Sequence, residues 1–378
     1  MKVGILHITA RADVGGGPEV LLRLVSEPSC RPMYVACPNE APYFGRFTHL
    51  LGSERVVPIP HRSFTIGTLL RLRRFVIDRN IFVLHSHGFG AGLYGRILQL
   101  LTGRPCVHTY HGFLLSGPGL LVTASRAIGE VILFPLTTVP VAVSSTERRR
   151  ILRWFWWAKS RVISIPNGVS PTSTEAVKVQ GDDARIRVLT VGRLVEQKAP
   201  LALPEIAQHL RERGSLDRFL FVVVGEGPLG EALRCDVRKR GVGEAFSFVG
   251  ETFEPARFYK SADIYLSPSR DEAFGLAVLD AMIRGLPVVA SAVNGHTDAI
   301  VHGQTGLLFS WGDWEQAAAH LHSLADDLGM REQLGSEGRQ TTLEQYSAAR
   351  MAARYEDCYA AVLHDNSRVE KLERTFLN

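Results

Sequence analysis

The sequence predicts an α/β protein of two parallel-sheet domains, and three observations carry that expectation. Short apolar runs recur between longer amphipathic stretches, the alternation that wraps helices around a parallel sheet. The runs are apolar throughout instead of alternating with polar residues, as in strands buried on both faces. The pattern also lapses into a polar stretch near mid-chain and then restarts.

In the first half, residues 3–8, 33–36, 82–85, 106–109 and 139–143 read as strands, and 18–26 and 66–78 have helical spacing. Beyond Ile163 comes IPNGVSPTSTEAVKVQGDDAR, poor in apolar residues and rich in Ser, Thr, Asp and Gly, which reads as a linker over 169–185. Strands follow at 188–191, 219–224, 246–249, 264–266, 288–290 and 307–309, with helices at 201–213, 229–240 and 277–284. The expected domains are therefore 1–168 and 186–345, with a C-terminal helical segment, 346–378, packing back toward the first domain. Two such domains leave a cleft between them, a common place for a ligand.

Composition narrows the class. With 46% hydrophobic and 21% charged residues in 378, the chain can build sizeable cores and is neither disordered nor fibrous. Its 43 basic and 38 acidic residues leave a formal charge of only +5, so clustering matters more than the total. The five cysteines lie far apart and form no C-x-x-C pair, which argues against a disulfide framework or structural zinc and for a reducing compartment. MKVGILHITA reads as a buried strand, not a signal peptide. The charge-free stretch 131–145 contains Pro135 and Pro140 and falls short of the roughly 20 residues of a membrane span. The expected location is cytoplasmic, or peripheral on the inner face of a membrane.

Four constellations could carry chemistry. Gly15-Gly16-Gly17-Pro18-Glu19 joins a strand to a helix, where glycines allow close backbone approach and free N–H groups suit an anion or a sugar hydroxyl. A tight turn explains the same residues equally well. Gly225-Glu226-Gly227-Pro228-Leu229-Gly230 fits G-x-G-x-x-G between a strand and a helix, with Glu251 where a dinucleotide-binding oxidoreductase carries its ribose-binding acid. That strand is not the first of its domain, and Pro228 removes one loop N–H, so NAD chemistry is the rival reading only.

Gly192-Arg193-Leu194-Val195-Glu196-Gln197-Lys198 follows the first strand of the second domain and puts two cations where a diphosphate would sit. The fourth, SPSRDEAFGLAVLDAMIRGLPVVAS over 267–291, holds Glu272 and Asp280. Their spacing of eight residues, just over two helical turns, places both carboxylates on roughly one helix face. Phe274, Gly275 and Leu276 would offer first-turn N–H groups.

GGGPE, HTYHGF, PNGV, VGRLVEQK, VVGEGPL, FVGE and SRDEAFGLAVLDAMIRGLPVVAS, in this order, resemble the retaining glycosyltransferases of family 4, enzymes of the GT-B fold with two Rossmann-like domains. The likeness runs from Val3 to about Tyr359. The family's E-x7-E element falls on Glu272 and Asp280, so its second Glu is Asp here, and Ala199-Pro200 stands where the family usually has Gly after the Lys. The resemblance implies transfer from a UDP- or GDP-linked sugar to a glycan or lipid-linked acceptor in cell-surface polysaccharide or glycolipid synthesis, with no metal and no other cofactor. It implies that Arg193 and Lys198 neutralise the leaving diphosphate, Glu272 holds sugar hydroxyls, and Asp280 holds the ribose. Phe274, Gly275 and Leu276 would contact sugar and phosphate, Phe248 and Val249 the base, and Gly16 and Gly17 would close over the donor. His111 matches a histidine near the transferring sugar. His85, His87, His108 and His111 are expected at the ends of two adjacent strands, facing the cleft. Retention by front-face attack, without a protein nucleophile, is the implied mechanism. A nucleotide-sugar epimerase of the same fold and a sugar-nucleotide-binding subunit of a larger assembly are the alternatives.

One stretch lies outside that set. Residues 147–161, ERRRILRWFWWAKSR, carry Arg148, Arg149, Arg150, Arg153, Lys159 and Arg161 against Glu147. Trp154, Trp156 and Trp157 are three of the chain's five tryptophans. This composition suits a membrane surface or a lipid-linked acceptor, or else an amphipathic helix packed on its own domain. No nucleic-acid module accompanies it, so nucleic acid is not an expected partner.

Overall fold

The computed structural model describes residues 3–113, 120–170, 185–364 and 372. Contacts divide the chain into two units, Met1–Gly168 with Ala348–Asn378, and Val169–Ser347. Most of the expected linker, 171–184, lies outside the described residues.

The first unit has strands β1 (Gly4–Thr9), β2 (Met33–Cys37), β3 (Val56–Pro58), β4 (Ile81–His87), β5 (Cys106–Tyr110), β6 (Val139–Ala142) and β7 (Ile163–Ser164). Its helices are α1 (Gly16–Ser26), α2 (Tyr43–Leu51), α3 (Ile66–Asp78), α4 (Gly88–Thr102), α5 (Leu120–Leu133) and α6 (Ser145–Trp154). The second has strands β8 (Ile186–Val191), β9 (Phe219–Val224), β10 (Phe246–Gly250), β11 (Ile264–Ser267), β12 (Val288–Ser291) and β13 (Leu307–Phe309). Around them lie helices α7 (Ala202–Glu212), α8 (Gly230–Lys239), α9 (Ala256–Tyr259), α10 (Leu276–Met282), α11 (Asn294–Ala299), α12 (Trp314–Asp326) and α13 (Leu328–Gln345). The last helix, α14 (Ala348–His364), belongs to the first unit.

Both sheets are parallel, ordered β3-β2-β1-β4-β5-β6-β7 and β10-β9-β8-β11-β12-β13. In each the order reverses beside the first strand, between β1 and β4 and between β8 and β11. Loops leaving those strands in opposite directions open a crevice at the carboxyl ends, where ligands of doubly wound sheets bind. Apolar strand faces fill the cores: Leu6, Ile8, Ala36 and Leu84 in the first unit, with Tyr94 of α4 packed on them, and Val188, Phe221, Leu266 and Val289 in the second.

Among the elements that sequence reading does not give, three have identifiable reasons. Strands β3 and β7 are short edge strands. Helix α4 begins GFGAGLYG, a poor helix former, but a Cβ on Gly95 would come within 2.8 Å of Ser86. Its glycines let the helix lie close on the sheet, and packing overrides propensity. No helix among the described residues is long and apolar enough to cross a membrane.

Candidate active site

In the second unit, Lys198 and Glu272 meet at the reversal between β8 and β11. Lys198 ends a 3₁₀ turn, Glu196–Lys198, and its Nζ donates to Glu272 Oε1. The backbone draws the two loops together: Arg270 N donates to the Gln197 carbonyl at 2.8 Å, and Gln197 Nε2 to the Asp271 carbonyl at 3.0 Å. Ser269 Oγ donates to Glu272 at 2.8 Å. Glu272 is only 7% exposed. Burial alone would raise its pKa, but Lys198, His296 and the Lys198 and Ser269 hydrogen bonds outweigh that and hold it below the usual carboxylate range. His296, buried on α11, is held low by burial and is fixed by the Ser291 carbonyl at 2.9 Å. Arg193 is exposed and has no ion-pair partner among the described residues. The ensemble is a buried acceptor with one cation beside it and a second cation free on the same connection.

The expectation that Glu272 and Asp280 share a helix face is corrected. Helix α10 begins only at Leu276, after Gly275 in the left-handed region (φ +82°). Glu272 therefore sits in the preceding loop, clamped because Gly295 N donates to its carbonyl at 3.0 Å. A Cβ on Gly295 would lie 2.5 Å from Phe274 backbone, so only glycine allows this approach. Asp280 lies on α10 and accepts from Arg284 at 3.1 Å. The Phe274 side chain is core, edge-on to Tyr346 at 5.2 Å, which leaves only its backbone for a ligand. Gly275 and Leu276 open α10, where the Gly275 carbonyl already accepts from Val278 N at 2.9 Å. On β10, Phe248 carries the Arg234 guanidinium at 5.3 Å, and Val249 follows it half-buried.

The G-x-G-x-x-G loop has a packing role. A Cβ on Gly225 would fall 2.1 Å from the Gly192 carbonyl oxygen, and one on Gly227 2.5 Å from that of Leu194. Leu194 N donates to the Glu226 carbonyl at 3.1 Å, and Leu229 N to that of Leu194 at 2.9 Å. These glycines seat the loop against the Arg193 connection, which accounts for them without a dinucleotide.

In the first unit, Gly16 and Gly17 open α1, and a Cβ on Gly17 would meet nothing within 4 Å. Glu19 of the same motif is structural, accepting from Tyr43 at 2.9 Å and Arg23 at 2.8 Å. The histidines divide between the two faces of the sheet, which corrects their expected grouping. His108 faces α4 with Ser86, 2.8 Å away. His85 and His87 share the other face with His7 of β1, and His111 follows β5 within 3.5 Å of His87. Side chains alternate along a strand, so neighbours such as Ser86 and His87 cannot share a face. His7, His85 and His87 bring ligand nitrogens within 4.8 Å of one another. Both nitrogens of His85 are already engaged, however, by Tyr359 at 2.7 Å and Thr109 at 2.8 Å. Burial holds His7 down to about 3 and His111 to about 4.

Glu147, noted in the sequence only as the lone acid of a basic run, holds the loop after His111. Ser144 caps α6, its Oγ accepting from Glu147 N at 3.0 Å, and the Glu147 carboxylate accepts from the amides of Gly112, at 3.0 Å, and Phe113. That S-x-x-E spacing was readable. Gln197, Ser269 and His296 left no comparable signal. In the basic stretch Ile151, Phe155 and Ala158 are buried, and Phe155 stacks on Phe134 at 3.7 Å. Trp154, Trp156 and Trp157 stay exposed, Trp156 at 75%.

Two doubly wound parallel sheets, one with a cation–carboxylate pair at its reversal point, define a two-unit α/β protein with a polar site at the carboxyl ends of its strands. Residues 15–173 match the family described as Glycosyltransferase Family 4, and 173–341 match Glycosyl transferases group 1. The D-inositol 3-phosphate glycosyltransferase of Corynebacterium aurimucosum is 30% identical over 334 residues, 82% of this chain and 78% of that protein. An enzyme of the same name from Acidothermus cellulolyticus is 32% identical over 280 residues, 67% of this chain but 61% of its own length. The Escherichia coli UDP-Gal:alpha-D-GlcNAc-diphosphoundecaprenol alpha-1,3-galactosyltransferase is 25% identical over 278 residues, 69% of this chain and 70% of that protein. In fold, the chain is similar to Anabaena Alr3699/HepE in complex with UDP and glucose, with TM-score 0.81, 17% identity, and 95% of this chain and 100% of that one covered. Sucrose-phosphate synthase from Thermosynechococcus elongatus gives TM-score 0.80 at 20% identity, with 96% and 99% covered. The chain belongs to the group 1 glycosyltransferases, and its fold is GT-B.

Proposed function

We propose that this chain transfers a sugar, with retained anomeric configuration, from a nucleotide-diphosphate sugar to a glycan or lipid-linked acceptor in the synthesis of cell-surface polysaccharide or glycolipid. The observation that carries the reading is Lys198 beside buried Glu272 at the β8–β11 reversal, with Arg193 exposed on the same connection. On donor binding, Glu272 accepts from sugar hydroxyls while Lys198 turns toward the diphosphate. Arg193 and Lys198 then face the charge that grows on the leaving group, which is where electrostatic stabilisation lowers the barrier. The leaving diphosphate takes the acceptor's proton, and Asp280 holds the ribose beside Arg284. Fixed cations take the place a metal would otherwise fill. Support for a nucleotide sugar comes from the UDP and glucose bound by the Anabaena protein and from the UDP-galactose donor of the Escherichia coli relative.

The acceptor side includes a membrane surface. Trp154, Trp156 and Trp157 stand exposed on an arginine-rich segment, and α5 adds exposed Ile128, Val131 and Ile132. Tryptophan favours the interface, and each basic residue near an anionic surface adds about 1 kcal/mol.

Thermal-shift screening against UDP- and GDP-sugars tests the donor, because a ligand of the folded state raises Tm. A shift with one nucleotide sugar, followed by transfer to a lipid-linked glycan detected by mass spectrometry, is the expected result. No shift with any of them would defeat the reading. Anionic vesicles should pellet the protein and neutral ones should not; loss of binding in Trp154→Ala/Trp156→Ala is expected, and unchanged binding refutes the membrane role.

A further inference from the structure

We propose that His7, His87 and His111 form one imidazole chain that fixes the tautomer of His111, with His87 as the positioning residue and Nδ1–H of His111 presented to the sugar. The inference rests on the reading of His111 as a site group.

The links are His111 Nε2 to His87 Nδ1 at 3.5 Å and His87 Nε2 to His7 Nδ1 at 3.1 Å. The His87 and His111 rings stack with centroids 5.7 Å apart, and those of His7 and His87 at 5.4 Å. His85 is not a link, because Tyr359 and Thr109 already hold its two nitrogens. Burial keeps all three chain members neutral near pH 7.

A neutral imidazole has one N–H and one lone pair, and every link needs one of each. The protons can therefore run in only two ways. In one, His7 Nδ1–H donates to His87, and His87 Nδ1–H donates to His111 Nε2, leaving Nδ1–H of His111 for a ligand. In the other every proton sits on Nε2, and His111 offers only a lone pair. The far end decides between them. His7 Nε2 is buried with no hydrogen-bond partner among the described residues. Buried N–H groups without an acceptor are the rarer kind of orphan, so this nitrogen is the bare one. The chain then runs toward His111, which becomes a donor to a sugar hydroxyl.

Nitrogen-15 NMR of histidine-labelled protein reads the tautomers, with single His→Gln variants assigning signals among the 13 histidines. The expected result is Nδ1–H on His7, His87 and His111 in the wild-type protein. Mixed tautomers, a uniform Nε2–H pattern, or stoichiometric metal bound to the purified protein would each overturn the proposal. His87→Phe should release His111 into a tautomer mixture, and His111 staying purely Nδ1–H in that variant would overturn it. In turnover, His87→Phe should lower kcat about tenfold to a hundredfold with donor KM held within about threefold. Unchanged kcat would overturn the functional half. The tautomer readings need no activity, so they stand or fall separately from the transferase reading.

Discussion

Acidification to pH 5.0 should strongly destabilise the first unit, because its histidine strip is neutral when folded. His7 is held down to about 3 and His111 to about 4 by burial, while the unfolded chain titrates near the ordinary 6.5. Burial likewise holds His85, His87 and His108 low. The groups facing His7 are His85 and His87 of β4 and Tyr359 of α14, none of them an anion near neutral pH. Because these folded pKa values are depressed, the unfolded state binds more protons below about 6.5. Stability is complete above that value and drains away as pH falls toward about 4 and about 3. At about 1.4 kcal/mol per pH unit per proton, moving from pH 7.5 to 5.0 costs about 2 kcal/mol for His7 and about as much for His111. The other three add in the same direction. A fall of about 4 kcal/mol or more is large against the 5–15 kcal/mol of a typical domain. Urea midpoints at the two pH values measure it, read from Trp154, Trp156 and Trp157 in a Trp311→Phe/Trp314→Phe background. His7→Leu should recover about 2 kcal/mol of the pH-dependent loss. Equal midpoints at both pH values, or an unaltered loss in His7→Leu, would refute the reasoning.

Lys198→Met strands a buried carboxylate and should cost about 2–4 kcal/mol in urea unfolding, below the fully buried extreme because Lys198 keeps some exposure. Adding Glu272→Gln should restore at least half of that loss, and a strictly additive double variant would contradict the pairing. Ala199 sits at φ +45° in the left-handed region, where a Cβ is unwelcome; Ala199→Gly should raise stability by about 1 kcal/mol, measured by Tm. On the proposed function, in which Arg193 and Lys198 supply the positive charge, transfer should persist in EDTA; loss of activity restored by Mg²⁺ or Mn²⁺ would contradict this.

What the sequence revealed follows the strength of the local signal. The buried runs at 219–224 and 307–309 coincide with β9 and β13, because apolar stretches of strand length bounded by turns have few other uses. The 66–78 helix coincides with α3, whose N-cap Thr65 accepts from Thr68 N. Helix α4 was not legible, since its glycines serve contacts with β4 that only the folded chain makes. Lys198 and Glu272 are each legible as candidates, but not their contact with one another, and the helix expected beneath Glu272 is absent: a spacing of eight residues is compatible with helix, and Gly275 at φ +82° ends that possibility. The partners that hold the pair, Gln197, Ser269 and His296, act across loops far apart in sequence, and no spacing encodes them. The histidine faces were readable in principle from strand alternation, which separates His108 from His85 and His87.

The most direct test compares wild type and Glu272→Gln in the transfer reaction, using whichever nucleotide sugar raises the wild-type Tm and following the anomeric proton of the product by NMR. The account predicts a product with the donor's anomeric configuration from the wild-type protein. For the variant it predicts a kcat lower by about a hundredfold or more with the fold intact. Near-normal turnover by Glu272→Gln would contradict the role of the Lys198–Glu272 site, and an inverted product would contradict the retaining mechanism.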